Sequence, residues 1–85
     1  MRLERTAQFK RDFVSLPEEI QRRIEKQLAF LLQNPRHPSL RIKRMEGIRD
    51  IWEGRITKSY RFTFQMKGDT CILRRVGRHD ILETP

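Results

Sequence analysis

Several things are scarce in this chain, and each scarcity narrows what it can be. Of 85 residues only one is cysteine, Cys71, so no internal disulfide forms and nothing points to an oxidising compartment. Cys71 sits in a strand-like run and reads as a small core residue. Two histidines and one cysteine without close ligand spacing leave no metal site to expect, and no cofactor motif is present. No stretch approaches the roughly 20 apolar residues of a membrane span. The opening Met1-Arg2-Leu3-Glu4-Arg5-Thr6 lacks an apolar signal region, so a cytoplasmic protein is expected. There is no repeat, low-complexity segment or Gly/Ser linker, and the length suits one domain, 1–85, with a core only just large enough to be stable. Acidic residues are also in the minority, 11 against 19 Lys and Arg, which leaves a net charge of +8. Charge on this scale bears on association, and it points to nucleic acid first and an acidic protein second.

What is present divides at about residue 40. Arg2-Leu3-Glu4-Arg5 is a weak strand candidate; Thr6 offers a helix N-cap, and Phe9, Phe13 and Leu16 recur at helical spacing. Pro17 suits the first turn of a second helix, where Glu18 and Glu19 place negative charge at the positive end of the dipole. Ile20, Ile24, Leu28, Leu31 and Leu32 then form one apolar stripe, and Pro35 stops the helix. Phe30 projects off that stripe, either to pack on the first helix or to meet a partner.

Beyond the loop Asn34-Pro35-Arg36-His37-Pro38-Ser39 the pattern alternates. Ile51 to Ile56 and Tyr60 to Met66 read as strands, with Lys67-Gly68-Asp69 turning into a third, Thr70 to Val76. A three-residue loop at Thr57-Lys58-Ser59 pairs Ile56 with Tyr60, Gly54 with Phe62 and Trp52 with Phe64, so every large apolar residue shares a face. The opposite face carries Glu53, Arg55, Arg61 and Thr63. The third strand is ambiguous, because Ile72 and Val76 point one way and Cys71 and Leu73 the other; a central strand half-buried on both sides accounts for this. An α+β domain is expected, β-α-α-β-β-β, with two N-terminal helices packed on an antiparallel sheet.

His79-Asp80 follows the last strand. Histidine titrates near neutrality, and here it lies among cations able to hold a phosphate, the outline of a metal-free ribonuclease site. Arg61 can grip a phosphate bidentately or pair diagonally with Glu53. Lys43 and Arg55 suit electrostatic contacts, as do Arg41, Arg44, Arg74, Arg75 and Arg78. Glu53 amid so many arginines is better suited to positioning than to general-base work. Asp80 either orients the imidazole or only solvates the tail, and His37, between two prolines, reads as a loop residue.

In Asn34-Pro35-Arg36-His37-Pro38-Ser39-Leu40, Lys43 with Gly47, Ile51-Trp52-Glu53-Gly54-Arg55-Ile56, Tyr60-Arg61-Phe62-Thr63-Phe64 and Gly77-Arg78-His79-Asp80, the chain resembles the RelE/ParE toxin superfamily of bacterial type II toxin-antitoxin modules. The order and spacing of these segments carry the resemblance over almost the whole chain. It implies a RelE-like fold, a cognate acidic antitoxin, and a sheet that cradles messenger RNA at the ribosome. His79 and Arg61 favour the RNA-cleaving, YafQ-like branch with a C-terminal histidine over the ParE-like branch, whose partner is DNA gyrase. No tyrosine follows His79, so His79 must fill the proton-transfer role that a C-terminal tyrosine has in some RelE-like nucleases. Residues and resemblance together lead to the expectation of an mRNA interferase with His79, Arg61, Lys43 and Glu53 at the catalytic site, Asp80 orienting, and Arg41, Arg44, Arg55, Arg74, Arg75 and Arg78 binding RNA; the alternatives are a ParE-like DNA gyrase inhibitor and a non-catalytic RNA- or protein-binding relative.

Overall fold

In the computed structural model, which describes residues 1–85, Thr6 caps the first helix as its position suggests, its hydroxyl accepting the Phe9 N–H at 3.1 Å. The chain runs β1 (Arg2–Arg5), α1 (Ala7–Val14), α2 (Glu18–Gln33), a 3-10 turn (Pro38–Leu40), β2 (Lys43–Arg44), β3 (Trp52–Arg55), β4 (Tyr60–Lys67), β5 (Thr70–Arg78) and a second 3-10 turn (His79–Glu83). Gln21 closes the elbow between the helices by donating to the Phe13 and Leu16 carbonyls. Pro17 stands just before the first turn of α2, one position earlier than expected.

The buried stripe of α2 is Ile24, Gln27, Leu28 and Leu31, whereas Leu32 is 48% exposed. At about 100° per residue Gln27 falls inside the stripe and Leu32 well off it, so angular position overrides side-chain type. Gln27 is satisfied there, its amide donating to the Arg55 carbonyl at 2.8 Å and the Ser39 carbonyl at 3.3 Å. Phe30 is half-buried against the core and stacks on the His37 ring.

The α+β expectation holds, with one correction to the sheet. It has five strands in the order β1-β5-β4-β3-β2 and is mixed, because β1 lies parallel to β5. β2 is only two residues long, too short to leave an alternating signal. The expected first hairpin is present: Trp52 faces Phe64, Gly54 faces Phe62, and the Ile56 N–H donates to the Tyr60 carbonyl.

The ambiguity of β5 resolves in a β-bulge. Thr63 opposes Arg75 and Phe64 opposes Leu73, leaving Arg74 as the extra residue. The bulge resets the alternation, so Cys71, Leu73 and Val76 all reach the helix-covered face and all are buried. Burial pushes the Cys71 thiol up to about 12.

Past Leu73 the edge of β5 has no strand beside it, and α1 covers it. Thr6 donates to the Leu73 and Arg74 carbonyls, and the Asp12 carboxylate accepts the Val76 N–H at 3.1 Å and the Arg75 Nε–H at 2.7 Å. Arg5 laces β1 to the helices, pairing with Glu25 and lying over the rings of Phe9 and Phe13. The core gathers Phe9, Ile24, Leu28, Leu31, Leu40, Phe62, Phe64 and Leu73 between helices and sheet, with Trp52 packed at its margin.

Phe62 has no exposed surface, and its ring fills the space over Gly54, where an added Cβ would lie 2.4 Å from it. Phe62→Ala is therefore expected to cost about 3–5 kcal/mol, a large share of the stability of so small a domain. Thermal melting checks this, and a variant melting within a few degrees of the parent would remove Phe62 from the core. Asp12 makes a pH test. Burial alone raises its pKa, but the hydrogen bonds from Arg75, the Val76 N–H and Gln8 outweigh burial and hold the carboxyl below its ordinary range. With a depressed folded-state value, its stabilisation is complete above the unfolded-state pKa and is lost as pH falls through the folded-state one. Stability should thus decline below about pH 4, and Asp12→Asn should flatten that decline. An unchanged acid limb in the variant's melting curve would contradict the assignment.

Candidate functional site

The sheet face turned away from the helices carries a cleft of ≈ 320 Å³ lined by Arg41, Lys43, Glu53, Arg55, Arg61, His79 and Leu82. Strand register builds most of it. Lys43 stands opposite Glu53, and Arg55 stands directly opposite Arg61. Like charges at facing positions repel, so the β3–β4 hairpin carries a local electrostatic cost that a bound anion would relieve. Four cations here face a single carboxylate.

Arg61 is held by its own turn. One guanidinium nitrogen donates to the carbonyls of Thr57 at 2.6 Å, Lys58 at 3.0 Å and Tyr60 at 3.1 Å. Its pKa is lowered, first by burial and then by the neighbouring charges of Arg55 and Arg41, against which Glu53 acts. The diagonal ion pair between Arg61 and Glu53 does not form. The guanidinium curls back onto the hairpin loop, and Glu53, only 9% exposed, pairs instead with Lys43 at 3.9 Å. Arg55 keeps its backbone carbonyl on Gln27 while its Nε is buried without a hydrogen-bond partner.

Arg41 enters from the other side in a left-handed backbone conformation, φ 45°, which closes the first 3-10 turn. His79 opens the second 3-10 turn at the end of β5 and is exposed. That turn is pinned at its centre and at its end: Ile81 is buried over Gly77, where a Cβ would lie 2.9 Å from its methyl group, and Arg75 holds the Thr84 carbonyl at 2.9 Å. Asp80 is exposed, and no hydrogen bond joins it to His79. Leu82 supplies an apolar wall that the sequence reading passed over; the Ile81-Leu82 pair in an otherwise polar tail was its one signal.

The remaining basic residues divide by sheet face and by partner. Arg44 lies over the Trp52 ring at 5.2 Å and Arg78 over the buried Tyr60 ring at 5.1 Å, both on the helix-side face and outside the cleft. Arg74 donates to Gln65 and to the Pro85 carbonyl, and Arg75 to Asp12 and Thr84. These two line a separate cleft with Arg49 and Ile48. Of the residues the sequence singled out, the structure brings together Arg41, Lys43, Glu53, Arg55, Arg61 and His79, and sets Arg44, Arg74, Arg75 and Arg78 elsewhere. No group of three or more His, Cys, Asp or Glu side chains converges, and no helix is long and apolar enough to cross a membrane.

No protein-family model and no curated relative matches the sequence. Solved structures do match the fold. A YoeB/ParE toxin from Agrobacterium tumefaciens superposes with a TM-score of 0.78 at 18% identity, covering 93% of this chain and 99% of that one. YafQ from E. coli gives 0.75 at 15%, covering 96% and 98%. The RelB-RelE antitoxin-toxin complex from Methanococcus jannaschii gives 0.74 at 26%, covering 94% of each chain. In that complex, and in the DinJ-YafQ toxin-antitoxin complex from E. coli, the similar chain was crystallised with its antitoxin.

If the cleft is built for anions, neutralising its one carboxylate should strengthen it and removing a cation should weaken it. Glu53→Gln is expected to leave heparin at higher salt than the parent, and Arg61→Ala at lower salt. Three equal elution points would show that the basic surface, and not this cleft, governs anion binding.

Proposed function

We propose that this chain, which has the fold of the RelE/ParE toxin superfamily, is the toxin of a type II toxin-antitoxin pair and acts as an endoribonuclease on messenger RNA engaged by the ribosome. The observation that carries the reading is the convergence of Arg41, Lys43, Arg55 and Arg61 with His79 in one cleft, with Arg55 directly opposite Arg61. Such a cleft suits a phosphodiester, whose charge rises as the phosphorus becomes five-coordinate.

The RNA's own 2′-oxygen attacks the adjacent phosphorus. The P–O5′ bond breaks, giving a 2′,3′-cyclic phosphate and a 5′-hydroxyl. Arg61 and Arg55 hold the equatorial oxygens of the phosphorane, with Lys43 and Arg41 adding field, while His79 gives a proton to the departing 5′-oxygen and the 2′-hydroxyl proton passes to solvent. Glu53 keeps Lys43 in place across the β2–β3 pair. Asp80 has no orienting role in this scheme; the buried Ile81 and the Arg75–Thr84 contact set the direction of His79. The cognate antitoxin is an acidic segment that covers basic and apolar surface together, and the exposed Val14 and Leu32 on the helix side offer apolar area beside the helices' arginines.

Two substitutions separate the roles. General acid-base catalysis contributes about 10²–10⁴-fold, so His79→Ala should lose about that factor in single-turnover cleavage while still binding its target. Arg61→Ala should lose rate and some affinity together, because the phosphate is already charged in the ground state. Mapping messenger ends on translating ribosomes, beside a DNA supercoiling assay, decides the class. Cleavage at the parental rate by His79→Ala would overturn the proposed chemistry, and blocked supercoiling with intact RNA would transfer the activity to DNA gyrase.

A further inference from the structure

Phe30 and His37 take no part in the cleft, yet they stack face to face, with ring centroids 4.2 Å apart and 6° between their planes. Lys26 approaches the Phe30 ring at 5.8 Å. The His37 ring is fixed in its plane as well, because Nδ1 accepts the Ser39 N–H at 3.2 Å and lies 2.8 Å from the Ser39 hydroxyl. Ser39 in turn gives its carbonyl to Gln27, whose amide also holds the Arg55 carbonyl. The stack and the floor of the phosphate cleft are therefore parts of one hydrogen-bonded unit.

The half-exposed His37 ring lines a second cleft of ≈ 330 Å³ together with Pro35, Arg36, Pro38, Arg41 and Ile42. Arg41 lines both clefts, and its left-handed backbone conformation sets its side chain at their junction. A residue with a Cβ is held in that conformation only where the surroundings over-determine it, which is a recurrent property of binding sites. A rigid, planar, half-exposed ring flanked by two arginines and adjoining a phosphate site has the composition of a platform for nucleobases.

We infer that the Pro35–Ile42 cleft is a nucleobase subsite, in which the base next to the phosphate held by Arg61 stacks on His37 while Arg41 spans the two clefts. This rests on the RNA-cleaving reading above and deepens it by giving the substrate a required flanking base. Stacking accepts any base, since each has a π-face, so the subsite selects for an unpaired, splayed nucleotide and against a duplex. Because the imidazole is already immobilised by Phe30 and Ser39, little ordering is required of it on binding.

The test uses the whole chain and a single-stranded oligoribonucleotide that is 2′-O-methylated throughout, so that it lacks the attacking hydroxyl. One abasic position is moved along it. For the parent, one register of the abasic position is expected to weaken binding by about 5- to 150-fold, the range that a lost base–aromatic stack gives. His37→Asn keeps an acceptor for the Ser39 N–H but has no aromatic ring, so its affinity for the intact oligonucleotide should fall by a similar factor and its abasic penalty should vanish. His37→Phe keeps the ring and should keep the penalty, which separates stacking from a merely structural role; equal melting temperatures of the two variants confirm that both are folded. If the parent cleaves RNA but shows no position-dependent abasic penalty, or if His37→Asn retains it, the subsite is wrong and the nuclease reading stands. If the parent neither binds the oligonucleotide nor cleaves messenger RNA on translating ribosomes, both fall.

Discussion

The register of the β3–β4–β5 meander is the constraint from which the rest follows. Because side chains alternate across a strand, pairing Trp52 with Phe64 and Gly54 with Phe62 sends the aromatic residues under the helices and, by the same step, sends Glu53, Arg55 and Arg61 to the other face. A slip of one residue would bury the arginines and expose the core. Hydrophobic burial thus fixes the geometry of the cleft, and the functional face is held in place by residues that never touch it. Gly54 belongs to this constraint, since the Phe62 ring occupies the space a side chain there would need.

Against that gain stands the electrostatic cost of the other face. Arg55 and Arg61 oppose each other directly, Arg41 and Lys43 add to the field, and only Glu53 acts against it. The chain moderates the repulsion without abolishing it: one guanidinium nitrogen of Arg61 is bound to three carbonyl oxygens of the hairpin loop, and Glu53 is given to Lys43 at the edge. Arg55 Nε is left with no partner. The like-charge repulsion retained at this cleft is a cost that a bound anion would relieve.

The basic residues perform three different kinds of work that a charge count merges. Those in the cleft build a field. Arg44 and Arg78 lie over Trp52 and Tyr60 and extend the core with their guanidinium planes. Arg74 and Arg75 hold the C-terminal tail, and Arg75, through Asp12, ties it to the helix that covers the open edge of β5. That last arrangement links the position of His79 to a helix near the start of the chain, a connection of more than sixty residues in sequence.

The amino-acid sequence alone determined the two helices, the Thr6 cap of the first, the meander, the register of its first hairpin and the segregation of Glu53, Arg55 and Arg61 from the aromatic residues, because each rests on local periodicity, a capping side chain or a turn of definite length. The short β2, the parallel pairing of β1 and the bulge at Arg74 were not legible, since long-range pairing leaves no local pattern and a bulge breaks the alternation by which a strand is read. Within the site, residue type identified the cations but could not tell which of them face the cleft: Arg41 and Arg74 look alike until the fold gives one to the cleft and the other to the Pro85 carbonyl. Pairings settled by competition for partners, Glu53 with Lys43 over Arg61 and His37 with Phe30, belong to tertiary structure alone, because their outcome depends on distances that only the packed chain establishes.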